Sequence, residues 1–331
     1  MNCIRKSFDS FYDLFRPFLF FISKNDPHRA HELFVEFSRI IHGLKLERFL
    51  LDNETNYNKR KITLSNAAGF NKNGSISPLF LKYLGFDRVV IGTVTGERWK
   101  GNSRPHILRL IESESLINWM GLPGIGASHV RRNLMKFQNS EIPITINIAP
   151  TPHKRGEDAL RDLEKTVDAL KIFSCVDRFE LNISCPNTEA DRNNYHKELK
   201  SLINAVQISM NDYQKLYIKL SPDLLEHEID ETISVIQAMH VDGIVTTNTT
   251  TQHSYQKGGA SGELLYERSF AIQKHFYERL KNTHVKIVAC GGINSLTRLN
   301  ERINYGAQEI QIFTPLIFNG PRLLRELRDD I

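Results

Sequence analysis

Residues 216–248 read LYIKLSPDLLEHEIDETISVIQAMHVDGIVTTN, a long amphipathic stretch with one short apolar run on each side. The runs at 216–221 and 243–248 have the length and the β-branched content of buried strands. Between them, residues 226–239 repeat apolar side chains at helical spacing. The segment therefore predicts a parallel βαβ unit, because two parallel strands need a crossover connection of this kind.

The same alternation extends in both directions through most of the chain. We predict eight strands, at residues 62–68, 88–94, 144–149, 179–184, 216–221, 243–248, 286–291 and 309–314. Helical patterns lie between them, for example at 157–173, 226–239 and 269–280. Eight such units in one domain favour a closed (β/α)8 TIM barrel. An open doubly wound sheet is the alternative, but the GxGxxG fingerprint that usually follows its first strand is absent from the sequence.

Residues 1–51 have a different pattern, which predicts an amphipathic helical hairpin before a barrel domain at 52–331. In the first helix, aromatic and aliphatic side chains recur at helical spacing at Phe8, Phe11, Phe15, Phe18 and Ile22. Asp26 and Pro27 provide a cap and a first-turn proline for a second helix, which Gly43 could end. Such an apolar face either packs on the barrel as a lid or enters a membrane interface, and the pattern alone favours the lid.

The bulk composition is that of an ordinary globular protein with a mild positive charge. The chain is 40% hydrophobic and 24% charged, with a formal net charge of +5. That charge favours an anionic ligand or membrane surface, whereas no basic run with interleaved aromatic residues indicates nucleic-acid binding. The four cysteines form neither a CxxC pair nor a zinc-ligand pattern, so we expect a reducing compartment and no metal. No apolar run reaches the ~20 residues of a membrane span, and the start of the chain lacks the pattern of a signal peptide.

Polar residues other than carboxylates cluster where the predicted strands end. In a TIM barrel the active site lies at the carboxyl ends of the strands. The residues at these ends are Ala68, Gly69, Asn71 and Lys72, then Thr93, Asn147, Asn182 and Asn187, then Lys219, Thr247, Asn248 and Thr249, and finally Gly291, Gly292, Phe313 and Thr314. Asn, Thr and Gly also form turns, so any one of them alone is ambiguous. Their shared position on separate strands is much harder to explain by turns.

The chemistry of this set is specific. Amide side chains both donate and accept hydrogen bonds, which suits a planar heterocycle with amide-like edges. Lys219 could neutralise negative charge on such a ring, and Gly291 and Gly292 suit a phosphate bound by backbone N–H groups. Flavin mononucleotide (FMN) has both a planar ring and a phosphate, so we predict FMN as the cofactor.

Several short motifs also follow one another in a recognisable order. They include AAGFNKNG at 67–74, IGTVT at 91–95, INWMG at 117–121, NISCPNT at 182–188 and KLSPD at 219–223. In this order they resemble the dihydroorotate dehydrogenases, and the resemblance covers nearly the whole chain. NISCPNT is close to the most diagnostic signature of that family.

The resemblance implies a role for each matching residue. Orotate would be bound by Lys72, Asn118, Asn182, Asn187, Asn248 and Thr249. The flavin would be bound by Ala68, Gly69, Thr93, Asn147, Asn182, Lys219 and Thr247, and its phosphate and ribityl chain by Ser261, Gly262, Gly291, Gly292, Phe313 and Thr314. Cys185 matches the base that removes a proton from the substrate's C5, while a hydride passes from C6 to flavin N5.

The hairpin resembles the membrane-associated, quinone-using class of the family. NDPHRAH at 25–31 is similar to the DPExAH stretch of that class, and His31 and Arg109 match positions that line its quinone tunnel. The resemblance implies a quinone acceptor and peripheral membrane contact through the hairpin. We expect the cytoplasmic face of a bacterial inner membrane.

Some residues depart from this pattern. The quinone-using class has serine as its base, whereas Cys185 is typical of the soluble class. The segments APTP at 149–152 and EADR at 189–192 replace the family's usual GKNK and PGLR. Two alternatives therefore stay open: an FMN oxidoreductase acting on another cyclic amide, and a catalytically idle relative that binds a membrane through the hairpin.

Overall fold

A barrel of eight parallel strands forms the centre of the protein. The structure is a computed structural model, and it describes residues 26–45, 62–183 and 195–329. In chain order the barrel strands are β1 (Thr63–Asn66), β2 (Val89–Val94), β5 (Ile144–Ile148), β6 (Val176–Asn182), β7 (Lys215–Leu220), β8 (Gly243–Thr246), β10 (Lys286–Cys290) and β11 (Ala307–Ile312). From β2 to β11 each strand pairs with the next, and β11 pairs with β1. Isolated parallel bridges, such as the one between Ser65 and Arg88, join β1 to the β2 side and close the barrel. The predicted (β/α)8 TIM barrel is confirmed.

Helices surround this barrel. They are α1 (Pro27–Gly43), α2 (Pro78–Leu84), α3 (Ala127–Leu134), α4 (Gly156–Leu170), α5 (Tyr195–Ser209), α6 (Glu226–Ala238), α7 (Tyr266–Leu280), α8 (Leu296–Asn304) and α9 (Thr314–Asp329), which is broken at Gly320. The main apolar core lies between the helices and the strands, where Phe80, Leu163 and Phe276 are fully buried. Burial of these apolar faces is the main force that stabilises the barrel.

The unit first recognised in the sequence folds as expected. β7, α6 and β8 lie within two residues of the predicted bounds. α6 begins after Leu225, whose N–H donates to the Glu228 carboxylate at 2.8 Å, and it buries Ile229 and Ile236 against the sheet. Other boundaries were less accurate: β6 begins at Val176, three residues before the predicted start, and β11 ends at Ile312 because Thr314 already begins α9.

The interior of the barrel contains charged side chains. Arg178 on β6 donates to Glu309 on β11 at 2.8 Å, and the hydroxyl of Ser65 on β1 donates to the same carboxylate at 2.7 Å. β6 and β11 are not neighbours, so this contact crosses the interior. Glu180 and Gln311 make a second crossing contact two residues further along the same strands. Buried charges are tolerated there because each is paired.

A small antiparallel sheet lies on the loops at the carboxyl end of the barrel. It consists of β3 (Ile107–Leu110), β4 (Ser115–Asn118) and β9 (Gly259–Gly262), in the order β3-β4-β9. β3 and β4 follow β2, and β9 follows β8, so the sheet joins two loops that are distant in sequence. The sequence pattern did not predict this sheet.

Helix α1 is the part of the expected hairpin that the structure describes. The Asp26 side chain accepts from the His28 N–H at 2.9 Å and caps the helix, and Pro27 is its first residue, as predicted. Its inner face packs on the barrel through Phe34, while Leu33, Phe37, Ile40 and Leu44 are exposed. The first predicted helix and the boundary at residue 51 lie outside the described residues and stay predictions. Among the described helices, none is long and apolar enough to cross a membrane.

Candidate active site

A cavity of about 540 Å³ opens at the carboxyl ends of the barrel strands. It brings together most of the residues singled out in the sequence: Ala68, Gly69, Lys72, Thr93, Asn118, Asn182, Lys219, Thr247, Asn248, Thr249, Ser261, Gly262, Gly291, Gly292, Phe313 and Thr314. Among the described residues, two lysines and no carboxylates line this cavity. The cavity is therefore suited to an anionic ligand. Asn147, His31 and Arg109 do not line it, and Cys185 and Asn187 lie outside the described residues.

The amide side chains form a hydrogen-bonded chain along one side of the cavity. Asn248 Nδ2 donates to Asn182 Oδ1 at 3.1 Å, and Asn182 Nδ2 donates to the Thr93 hydroxyl at 3.4 Å. The backbone N–H of Thr249 donates to Asn248 Oδ1 at 2.9 Å. On the β4 side, Asn118 Nδ2 donates to the Gly259 carbonyl at 3.3 Å. These contacts fix the orientation of the amides before a ligand arrives, which lowers the cost of ordering them on binding.

Lys72 provides a cation without a matching anion. Its Nζ lies 3.5 Å from the sulfur of Met120, and no carboxylate in the described part of the chain pairs with it. Burial lowers the pKa of Lys72 from 10.5 to about 8. At neutral pH the side chain is therefore mainly protonated, and an incoming carboxylate would relieve the cost of its burial.

Lys219 is a second cation, and it is held by a polar network. Its Nζ donates to Gln311 Oε1 at 3.1 Å and lies 3.6 Å from Glu180 Oε1. Burial by itself disfavours the ammonium, but the neighbouring Cys290 sulfur and the Glu180 carboxylate outweigh it and raise the pKa of Lys219. The side chain thus remains charged over the whole neutral range.

The loop after β10 provides a glycine-rich end of the cavity. Arg302 Nη2 donates to the Gly291 carbonyl and Arg298 Nη1 donates to the Gly292 carbonyl, both at 3.0 Å. Because the C=O and N–H of a trans peptide lie on opposite sides, the Gly292 N–H points away from Arg302. A Cβ at Gly292 would lie 2.6 Å from the Gly262 carbonyl oxygen, so the close approach of the two loops requires glycine there.

The N-terminus of α9 lies at the same end. Thr314 is its first residue, and its hydroxyl is 2.8 Å from that of Ser261. Backbone N–H groups at a helix N-terminus attract anions, and TIM barrels often bind a phosphate after the last two strands. A phosphate group could therefore be bound here by the Thr314 and Ser261 hydroxyls, the glycine loop after β10 and the N-terminus of α9.

Asn147 lies behind the cavity and has one unsatisfied atom. The residue is fully buried on β5, and its Nδ2 donates to Glu180 Oε1 at 2.7 Å. Its Oδ1 has no hydrogen-bond partner within the described ranges. A buried acceptor of this kind needs a donor. A heterocycle with N–H groups at its edge would supply such a donor. The adjacent Lys219 would stabilise such a ring when it becomes negatively charged.

A line of aromatic contacts leads from α1 to the cavity. His31 Nε2 donates to the Phe70 carbonyl at 2.8 Å, and burial lowers the pKa of His31. The Phe34 ring lies 5.4 Å from that of Phe70, which in turn lies 5.7 Å from Phe313 in the cavity wall. Arg109 is on β3, against which α1 packs. Aromatic side chains therefore connect α1 to the wall of the cavity.

The comparison with known proteins decides the family. Residues 53–331 match the family model described as dihydroorotate dehydrogenase. The chain belongs to the dihydroorotate dehydrogenase family. The resemblance in the motifs is thus confirmed, and the chain is an oxidoreductase.

Relatives and solved structures of the dihydroorotate dehydrogenase family cover nearly all of the chain. A Natronomonas pharaonis protein named dihydroorotate dehydrogenase (quinone) is 34% identical over 96% of this chain and 92% of its own length. An Escherichia coli protein of the same name is 32% identical over 91% of this chain and 95% of its own. The crystal structure of ligand-free DHODH from Eimeria tenella has a TM-score of 0.78 at 25% identity, covering 92% of this chain and 94% of that one.

Several residues near the site were not found from the sequence. Gln311 and Cys290 both line the cavity. Gln311 is two residues before Phe313, and side chains two residues apart along a strand point to the same side, which could have indicated the position of Gln311. Arg298 and Arg302 are in α8, where an arginine usually faces solvent, and only the tertiary structure brings them to the glycine loop.

Proposed function

We propose that this chain oxidises dihydroorotate to orotate, with FMN as cofactor and a quinone as the final electron acceptor. The observation that carries the proposal is the half-buried Lys72, which has no carboxylate partner in the described part of the chain and shares one cavity with a row of oriented amides. The names of the relatives support the substrate and the acceptor, since both are called dihydroorotate dehydrogenase (quinone).

Lys72 would bind the carboxylate of the substrate. Asn118, Asn182 and Asn248 would bind the ring's amide edges, since each can donate and accept hydrogen bonds, and Asn187 and Thr249 would complete this set. Charge-assisted and bidentate contacts of this kind fix the ring in one orientation. That orientation is what hydride transfer between two stacked rings requires.

FMN would occupy the rest of the cavity. Lys219 and the unsatisfied Asn147 Oδ1 would face the edge of the flavin ring, with Thr93 and Thr247 nearby. Its phosphate and ribityl chain would be bound by Ser261, Gly262, Gly291, Gly292, Phe313 and Thr314, and Ala68 and Gly69 would contact the ring. When bound, FMN would accept the hydride from C6 of the substrate at N5.

Cys185 would act as the base. Removing a proton from C5 while a hydride leaves C6 forms the C5=C6 double bond of orotate. The hydride carries away two electrons and one proton, and the base takes up the second proton. A thiol is a reasonable base here, because its ordinary pKa of ~8.5 is close to neutral pH. This role rests on the motif NISCPNT alone.

Quinone access would be along α1. The exposed Leu33, Phe37 and Ile40 would contact a membrane interface, and His31 and Arg109 would line the path to the cavity. We place the protein peripherally, at the cytoplasmic face of a bacterial inner membrane.

The test is to purify the full chain, record its visible spectrum and add dihydroorotate without oxygen. Bleaching of a flavin spectrum, followed by its recovery on adding a quinone, is the expected result. A flavin that stays oxidised with dihydroorotate but is reduced by another cyclic amide would overturn the substrate and keep the cofactor. A purified chain with no flavin, which does not take it up when FMN is added, would overturn both.

A further inference from the structure

Glu180 is a fully buried carboxylate on β6 that lies beneath the cavity without lining it. Its Oε1 accepts from Asn147 Nδ2 at 2.7 Å and lies 3.6 Å from Lys219 Nζ. Its Oε2 accepts from Gln311 Nε2 at 2.6 Å. One carboxylate therefore contacts all three of these polar side chains.

These contacts determine how two amides are turned. Because Glu180 accepts hydrogen bonds from the side-chain N–H groups of both Asn147 and Gln311, the side-chain oxygens of these two amides must face elsewhere. Gln311 Oε1 faces Lys219 at 3.1 Å, and Asn147 Oδ1 is left as a buried acceptor. Without the carboxylate, Asn147 could turn by half a rotation and present a donor instead, and Gln311 would keep only its contact with Lys219.

Glu180 also changes the charge beneath the cavity. Lys219 alone would place a full positive charge at the barrel centre, and a cation stabilises a ring that gains electrons. A carboxylate 3.6 Å from the ammonium, with both side chains almost completely buried, offsets much of that charge. The balance between the two groups then sets how strongly the reduced form of a bound ring is favoured.

We propose that Glu180 is a positioning residue that lowers the reduction potential of the bound flavin, by offsetting the charge of Lys219 and by fixing the amides of Gln311 and Asn147. This inference rests on the proposed FMN site. A lower potential makes the reduced cofactor a better electron donor to the acceptor, so Glu180 favours the second half of the proposed reaction at the expense of the first.

The test compares midpoint potentials of the FMN-loaded full chain and its variants, measured by reductive titration against a reference dye without dihydroorotate. For Glu180→Gln we expect the ratio of oxidised to reduced FMN dissociation constants to rise at least tenfold, or about 30 mV in the positive direction for a two-electron couple. Glu180→Asp retains the charge and should stay closer to the parent value. If Glu180→Gln does not fold, Glu180→Met removes the same charge without adding an amide.

Glu309→Gln is the matched control. Glu309 is a buried carboxylate of the same barrel, about 7 Å deeper, and it pairs with Arg178 instead of Lys219. We expect its removal to lower stability while leaving the midpoint unchanged. An unchanged midpoint in both neutral Glu180 variants, or an equal shift in Glu309→Gln, would overturn the inference. Because the titration contains no dihydroorotate, a wrong substrate assignment would not affect it.

Discussion

Replacing Lys72 with methionine should weaken orotate binding and remove its dependence on pH. Methionine retains most of the side-chain volume and removes the ammonium. A hydrogen bond to a charged group contributes about 1.5–3 kcal/mol, so we expect the orotate Kd to rise about 10- to 150-fold at pH 7. The three cavity asparagines remain in the variant and should retain part of the affinity.

The pH dependence follows from the lowered pKa of Lys72, which is about 8 in the ligand-free protein. Below pH 7 the ammonium is present and the orotate Kd should be constant. Above pH 8 binding must first take up a proton, so the Kd should rise by up to tenfold per pH unit. Lys219 does not interfere because its pKa is raised above the usual value.

The assay is a titration of the bound flavin's absorbance with orotate between pH 6 and pH 10. All variants should carry Cys185→Ser, because a thiol titrates near pH 8.5 and would confuse the reading. An unaltered rise of the Kd with pH in Lys72→Met would refute the assignment of Lys72 to the carboxylate. The same variant provides a second measurement: at pH 7 the half-buried ammonium of Lys72 lowers stability, since its folded pKa lies below the unfolded value. A pKa shift from 10.5 to about 8 corresponds to at most about 3 kcal/mol. Because Lys72 keeps some contact with solvent, Lys72→Met should be more stable by about 1–2 kcal/mol in chemical denaturation.

Three further predictions concern the base, the glycine loop and the membrane face. Cys185→Ala should slow flavin reduction by dihydroorotate at least about 100-fold in anaerobic stopped flow, with orotate affinity retained; an unchanged rate would remove Cys185 as the base. Arg302→Met should release the Gly291 carbonyl and weaken FMN binding about tenfold by fluorescence titration, whereas the exposed Arg322→Met should have no effect. Phe37→Glu with Ile40→Glu should abolish flotation with vesicles and quinone turnover but spare flavin reduction, and continued flotation would contradict the membrane face.

The sequence predicted the barrel because its dominant pattern is local. Strands such as β7 and β8 are apolar runs bounded by turn residues, and each helix between them has an apolar face, so the alternation is visible without tertiary information. The β3-β4-β9 sheet was missed because its strands have four residues each and lie in loops, where such short pairings leave no periodic signal.

The site was predictable to the extent that it lies at strand ends. Most of the polar residues at those ends do line one cavity, but Asn147 lies behind it, and the positions of Cys185 and Asn187 lie outside the described ranges. Glu180 could not be found in this way, because a single carboxylate within an apolar run carries no local sign of its partners. Its importance depends on Lys219 and Gln311, which come from β7 and β11.

The charged barrel interior also limits how this fold can be recombined. The contacts of Glu309 with Arg178 and of Glu180 with Gln311 each join a strand from the first half of the barrel to one from the second. Two half-barrels with apolar interiors can be combined in many ways. A half-barrel that contains one of these charged or polar groups needs a second half that supplies the complementary group at the same depth. A chimera that takes either half from another barrel would need to import both members of each contact together.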